Sequence, residues 1–525
     1  MREVERAVLP ANLDALVNEA AARYGDQPLA VFFDDDVTLT YRDLASRATR
    51  LASSLARIGV TFGTHVGIML NSGAHYPVAW LAIAKLGGVA VPINPAYTAR
   101  ELSFVVDDSD VRLLIIDAGL LPTFNASDKA AAFDVVVAAG PSNRHHGWDD
   151  MIEAGDEHFS PDRAPTHTDP SNIQYTSGTT GLPKGAIIPH GYWMLRGQVW
   201  KTQLSHTIRR NLVAQPMHYI DGQAMFLLTL ASGGTAYVAA RQSASRFLGW
   251  LKDYDIEFCS LPEVVARQLD GGASAGDSLK TVYAYSHRKE TYQKNEARFG
   301  CPIRQGYGMT ELGSALYVPV EADHMTGSGT VGVPTAGREV MIADETGQAV
   351  GAGIVGEIYV RGIHLFQGYY NRPNETEAAF AAGGWFKTGD IGRQDEAGWF
   401  YYLGRRKDMV RRSSENISAT EVEEVLRGVP GVIEAAVLPV SDEKRGEEVK
   451  AYLRLEEGKS SDDVHPDAVL AHCAKNLARF KLPRYIEFID DFPRTPGYKI
   501  KKSSLIADKP DLRVGAFDAV DGIWR

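Results

Sequence analysis

Short apolar runs alternate with helical patterns through the first part of this 525-residue chain, and that alternation constrains the fold more than any other feature. Thr38-Leu39-Thr40-Tyr41 closes a strand-like run. Thr40 and Asp43 then form the capping-box pattern of a helix start, with Leu44, Ala48, Leu51, Leu55 and Ile58 at helical spacing and Gly59 as the stop. Val66–Leu70, Gly88–Pro92 and Leu113–Ile116 read as buried strands, and Pro77–Leu86 as a helix among them. Strands interleaved with helices form largely parallel sheets, so an α/β domain is expected. Residues 340–361 differ, because Gly-rich turns separate Val340-Met341-Ile342 from Glu357-Ile358-Tyr359-Val360, the pattern of an antiparallel β unit.

A single core stops growing well below this length, so more than one domain is expected. The basic turn Gly404-Arg405-Arg406-Lys407-Asp408 follows an aromatic run and suits a hinge. It divides the chain into a large α/β domain, 1–404, and a small α+β domain, 405–525. The second part reads as a helix at Thr420–Arg427, strands at Ile433–Pro439 and Val449–Leu455, a helix at Val464–Leu477 and a strand at Tyr485–Ile489. The Asp-, Lys- and Pro-containing tail after Leu505 reads as loosely ordered.

A net charge of −11 argues against nucleic acid as a partner. The three cysteines, Cys259, Cys301 and Cys473, lie far apart and fit a reducing cytoplasm rather than a disulfide framework or a zinc site. The charged N-terminus lacks the apolar segment of a signal peptide. Ala224–Ala240 is uncharged, but Ser232, Gly233 and Gly234 interrupt it, so it reads as a buried helix running into a strand rather than a membrane span.

Chemistry concentrates in five segments. Tyr175–Ala186 contains Thr176, Ser177, Gly178, Thr179, Thr180, Gly181 and Lys184, which together offer turning backbone N–H groups, hydroxyls and one ammonium to a phosphate. The order is not that of a Walker A loop, because Lys184 lies between Pro183 and Gly185. Gln305-Gly306-Tyr307-Gly308-Met309-Thr310-Glu311 supplies a ring for stacking on a base, a hydroxyl and a carboxylate suited to Mg²⁺. Asp390, after Gly389, is placed to accept from ribose hydroxyls or to cap a turn. Gly404-Arg405 and Pro493-Arg494-Thr495-Pro496-Gly497-Tyr498-Lys499 complete the set, and Lys499 alone would read as a solvated lysine beside Lys501 and Lys502.

In this order and approximate spacing the segments resemble the adenylate-forming superfamily, which includes acyl-CoA synthetases, firefly luciferase and peptide-synthetase adenylation domains, over nearly the whole chain. The resemblance implies that ATP, with Mg²⁺, first converts a carboxylic acid to an acyl adenylate, and that coenzyme A then takes the acyl group. By matching motifs, Thr176 to Lys184 hold the β and γ phosphates, Glu311 binds Mg²⁺ and Tyr307 stacks on adenine. Asp390 and Arg405 fix the ribose, Lys499 bridges the acid carboxylate and α-phosphate, and Lys407 is the hinge about which the C-terminal domain turns between steps. Only 26 residues follow Lys499, which favours free coenzyme A over an attached carrier domain. A cytoplasmic enzyme, with a homodimer as the candidate assembly, is expected. The alternatives are an adenylating enzyme that delivers to a separate carrier protein and a catalytically weak acyl-nucleotide binding protein.

The chain departs from the family pattern in four places. Ala284-Tyr285-Ser286-His287-Arg288 replaces a segment that often reads Gly-Gly-Ala-Pro at the edge of the acyl pocket, so Ser286 and His287 either reshape that pocket or, for His287 and Arg288, point outward. In Gln215–Gln223, Tyr219 holds the position of the acyl gate, preceded by His218, and the Ile-Asp-x-Gln ending with Asp221 resembles crotonobetaine/carnitine-CoA ligases. That likeness favours a short or polar acid, and Asp221 suits either a helix cap or the attraction of a cationic substrate group. Ser414 and Tyr498 stand where glycine is common, the former beside the expected pantetheine tunnel.

Overall fold

The computed structural model describes residues 8–130, 133–140, 145–176, 183–204, 207–262, 265–266, 275–285, 289–406, 409–412, 415–443, 445–477, 479–494, 499–507 and 509–525. By contact density they fall into two compact units. The first comprises residues up to Thr176, Pro183–Val340 and Val360–Trp385, and the second comprises Met341–Tyr359 and Phe386–Arg525.

The first unit contains two sheets. Helix α1 (Tyr41–Arg57) starts at the Thr40–Asp43 capping box and buries Leu44, Ala48, Leu51 and Leu55, as its spacing requires. One sheet has seven strands in the order His146–Gly147, Asp134–Ala138, Leu113–Asp117, His65–Met69, Val89–Pro92, β1 (Pro170–Thr176) and β2 (Lys184–Pro189). Its pairs are parallel except β1 with β2, which form a hairpin around the Gly-rich run. Two buried tryptophans fix β1. Trp80 donates to Asn172 and Trp193 to Ser171, each at 3.0 Å, and their rings pack edge to face at 5.1 Å. Such a ring pair adds about 1 kcal/mol beyond its buried area.

Two helices lie between these sheets in sequence. Helix α2 (His190–Gln203) buries nearly every side chain along its first three turns, and α3 (Ile220–Ser232) runs on through Gly233 to the strand Thr235–Val238, so the apolar stretch is a helix followed by a strand. Among the described residues no helix is long and apolar enough to cross a membrane. The second sheet has nine strands, with Thr281–Tyr285 beside β3 (Ile303–Met309) and β3 beside β4 (Gly313–Tyr317). Six central strands pair in parallel, and the β3–β4 pair is antiparallel with a bulge between Tyr307 and Gly308.

In a further sheet Arg338–Ala343 and Val355–Gly362 are neighbours, and Val355–Gly362 also neighbours β5 (Trp385–Gln394), on which β6 (Phe400–Arg405) lies antiparallel. A helix at Ala419–Arg427 and another at Pro466–Asn476 pack with Val432–Asp442 and Gly446–Leu455 around Val422, Leu426, Val437, Leu453, Val469 and Cys473. Every element expected beyond residue 420 is present within a few residues of its expected bounds.

The tail differs from expectation. Lys502–Ala507 is helical, and Phe517–Asp518 and Ile523–Trp524 extend the sheet beside Tyr485–Phe488. Charge explains the order, because Asp518, fully buried, binds both Arg484 (3.2 Å) and Arg525 (2.6 Å). A composition that suggests a solvated chain is here folded by its own ion pairs.

Candidate nucleotide and acid site

The β1–β2 hairpin brings the two ends of the Gly-rich run face to face, with Thr176 paired to Lys184. Ser177, Gly178, Thr179, Thr180 and Gly181 lie outside the described residues, as do Ser286, His287, Lys407, Ser414 and Tyr498. Lys184 carries its ammonium 5.1 Å from the ring centre of Tyr369, within cation–π range. The hydroxyl of Tyr369 donates to Glu311 Oε1 at 2.8 Å. Lys184, Tyr369 and Glu311 therefore form one chain of contacts in the first unit. Glu311 is only 5% exposed, and a buried carboxylate offers the hard oxygen that Mg²⁺ takes together with substrate phosphates. The donor set fits that ion.

The hairpin β3–β4 presents the segment 305–311. Gln305 accepts from the Tyr292 hydroxyl at 3.0 Å, and Tyr307 is buried. Gly308 is exposed, while Met309 and Thr310 are half-buried. Two glycines here are required by close approach. A Cβ at Gly306 would collide with the Tyr283 hydroxyl, and one at Gly308 with the Gly313 carbonyl.

The expected gate is tied to the strand that enters the Gly-rich run, because Gln174 of β1 donates to the His218 carbonyl at 2.8 Å. Tyr219 caps α3, accepts from Asn94 at 3.3 Å and packs against the His218 ring at 4.4 Å. Burial pushes the His218 imidazole down to about 4, so it is neutral near pH 7. Asp221 pairs with Arg196 of α2 at 2.8 Å rather than capping the helix. The arginine side chain is 7% exposed and the aspartate 44%, so the carboxylate is the accessible face of this pair. Arg196 also donates to Tyr192, one turn back on the same helix.

In the second unit, Asp390 and Arg405 face each other across β5 and β6, and Arg405 Nε meets Asp390 Oδ1 at 2.8 Å. Asp390 is 2% exposed, and its N–H donates to the Thr388 hydroxyl at 3.0 Å. Gly389 has φ 71°, a left-handed turn that glycine adopts without strain, and its N–H donates to Glu357. Lys499 is exposed and precedes Ile500, which pairs with Arg494.

Sequence reasoning overlooked Tyr369, Arg196, Gln174, Asn94 and Glu357. The run Gly368-Tyr369-Tyr370-Asn371 held a visible signal, an aromatic pair after a glycine in a polar stretch.

Residues 17–370 match the AMP-binding enzyme family, and residues 421–499 match the AMP-binding enzyme C-terminal domain. Sulfoacetate–CoA ligase of Cupriavidus necator is 31% identical over 94% of this chain and 97% of its own length. Crotonobetaine/carnitine–CoA ligase of Salmonella arizonae is 29% identical over 89% and 92%. Among solved structures, ATP-bound MatB from Rhodopseudomonas palustris superposes with a TM-score of 0.85 at 26% identity, covering 94% of this chain and 98% of that one. o-Succinylbenzoate coenzyme A synthetase from Bacillus subtilis, in complex with ATP and a magnesium ion, gives 0.82 at 26% identity over 93% and 98%. From the Gly-rich hairpin through the tyrosine-held glutamate to the C-terminal lysine, the chain belongs to the AMP-binding enzyme family.

Proposed function

We propose that this enzyme is an acid–thiol ligase for a small polar carboxylic acid, and that Lys499 drives its first half-reaction. The reaction is ATP-dependent: the acid becomes an acyl adenylate as pyrophosphate leaves, and coenzyme A then takes the acyl group as AMP leaves. Mg²⁺, when bound, neutralises charge on the departing pyrophosphate. Glu311 is the residue that would hold it. Thr176 and Lys184 bind the phosphates, together with the hydroxyls and N–H groups of 177–181. Tyr307 stacks on adenine within the 305–310 segment, and Asp390 and Arg405 hold the ribose. Lys499 places its ammonium on the acid carboxylate and the α-phosphate, where charge develops as the new bond forms. The thiolate of coenzyme A then attacks the acyl carbon, for which AMP is a good leaving group.

One observation carries the reading of the acid. The Arg196–Asp221 pair lies two residues from the expected gate Tyr219, and its carboxylate is the exposed part. An ion pair in that position disfavours a long aliphatic chain, which would desolvate it without compensation. The relatives named for sulfoacetate and for crotonobetaine and carnitine, all small charged acids, support the same class. His218, Tyr219, Ser286 and His287 are assigned to the acyl pocket.

We further propose that 1–404 and 405–525 act as separate bodies, with Lys407 as the hinge that withdraws Lys499 before thiol transfer. The enzyme is cytoplasmic and homodimeric, and its net charge of −11 supports the absence of a nucleic-acid partner. Pyrophosphate, AMP and acyl-CoA formation over a panel of acids, with and without coenzyme A, tests the reading. Acid-dependent pyrophosphate with no acyl-CoA would replace coenzyme A by a carrier protein. Preference for long fatty acids would overturn the polar-acid class.

A further inference from the structure

We propose that Tyr369 is a positioning residue that sets the Glu311 carboxylate for the nucleotide-bound Mg²⁺, an inference that rests on Glu311 as the residue receiving that ion. Tyr369 lies on a short segment clipped to the outer edge of β2. Gln367 N–H donates to the Ile187 carbonyl (2.8 Å), Ile187 N–H to Gly368 (2.9 Å), and Tyr370 N–H to Gly185 (2.8 Å). On the far side, Tyr369 N–H donates to the Thr376 hydroxyl at 2.8 Å. The backbone of Tyr369 is thus fixed from both directions, and its side chain inherits that fixity.

The same segment grips Glu311 twice. Tyr369 donates its hydroxyl to Oε1, and Phe366 N–H donates to the Glu311 carbonyl at 3.0 Å. Phe366 and Tyr369 pack ring against ring at 5.0 Å, so the two grips move together. Lys184, at the exit of the Gly-rich run, sits over the Tyr369 ring. One five-residue segment therefore connects the phosphate loop to the carboxylate, although Glu311 and Tyr369 are 58 positions apart.

A phenol suits this task. It donates one hydrogen bond and removes no charge, so it fixes the plane of a carboxylate without neutralising it. Mg²⁺ demands near-octahedral geometry at short distance, and a carboxylate free to rotate meets that demand poorly. Loss of an outer partner of a metal ligand commonly lowers metal affinity 10–100-fold. Tyr369→Phe keeps the ring beneath Lys184 and deletes only the donor.

The test measures ATP binding by calorimetry across a Mg²⁺ titration, in the full-length protein and without any acid. For Tyr369→Phe, the Mg²⁺ concentration at half-maximal enhancement of ATP binding should rise about tenfold or more. ATP affinity without Mg²⁺ should stay within about twofold, and the melting temperature should move by less than about 4 °C. Equal weakening with and without Mg²⁺ would overturn the proposal, since the ring packing alone would then explain it. Glu311→Gln serves as the reference. If it shifts the Mg²⁺ dependence and Tyr369→Phe does not, the positioning role falls while the role of Glu311 stands. If neither shifts it, the role of Glu311 falls first and the positioning role with it.

Discussion

Two buried carboxylates, one in each unit, are held in different ways. Glu311 accepts from a phenol, whereas Asp390 faces a guanidinium. A phenol orients a carboxylate and leaves its charge available to a cation. A guanidinium orients and neutralises together, leaving an acceptor suited to hydroxyl groups. The roles proposed for the two carboxylates, a metal for Glu311 and a sugar for Asp390, follow this difference in partner.

If charge in the second unit drives the chemistry while the first unit orients, the most damaging change is Lys499→Ala. Acid-dependent pyrophosphate release should fall roughly a hundred- to thousandfold with the fold intact, and survival within about threefold would remove Lys499 from the reaction. Asp390→Asn should raise the KM for ATP about tenfold, because a charged hydrogen bond is lost. It should also lower stability by about 2 kcal/mol, less than for a fully buried pair because Arg405 is partly solvated. An unchanged KM with lowered stability would make the pair structural and dissolve the contrast with Glu311. Asp221→Asn should change the ratio of kcat/KM between polar and aliphatic acids about fivefold while leaving the KM for ATP unaltered, measured by competition between the two acids.

The smallest effect separates the units by pH. Burial holds both His190 and His218 of the first unit down at about 4, below the ordinary 6.5. The unfolded chain therefore binds more protons as pH falls below 6.5, and this stability is lost progressively down to about pH 4. In the second unit, burial would raise Asp518, but hydrogen bonds from Arg484 and Arg525 prevail and hold it at about 2, below its ordinary 3.8. Its contribution is complete above about pH 4 and is lost only as pH falls towards 2. Hydrogen exchange at pH 5 should accordingly show protection lost first in the first unit. His218→Gln should reduce the stability lost between pH 7 and 5 by about 2 kcal/mol, read from denaturant midpoints at both values.

The local rules in the sequence carried a long way. The Thr40–Asp43 box and the spacing from Leu44 to Leu55 located α1 because caps and periodicity act over a few residues. Strand order and the Tyr369–Glu311 contact were not legible, since each joins distant segments whose pairing follows from the whole sheet. Arg196 was hidden for a related reason: it sits in a helix whose neighbours are nearly all buried, and its acidic partner comes from α3. The ordered tail shows the same limit, because Asp518 and Arg525 look solvated until the sheet edge brings them together with Arg484.

The crowding around Gly306 and Gly308 decides where a new acid preference can arise. A side chain added at either glycine meets the Tyr283 hydroxyl or the Gly313 backbone, so these two positions are closed to single substitutions. On the proposed reading, a different acid preference would arise by exchange of Tyr219, Asp221 or Arg196, with the two glycines of the hairpin carried along unchanged.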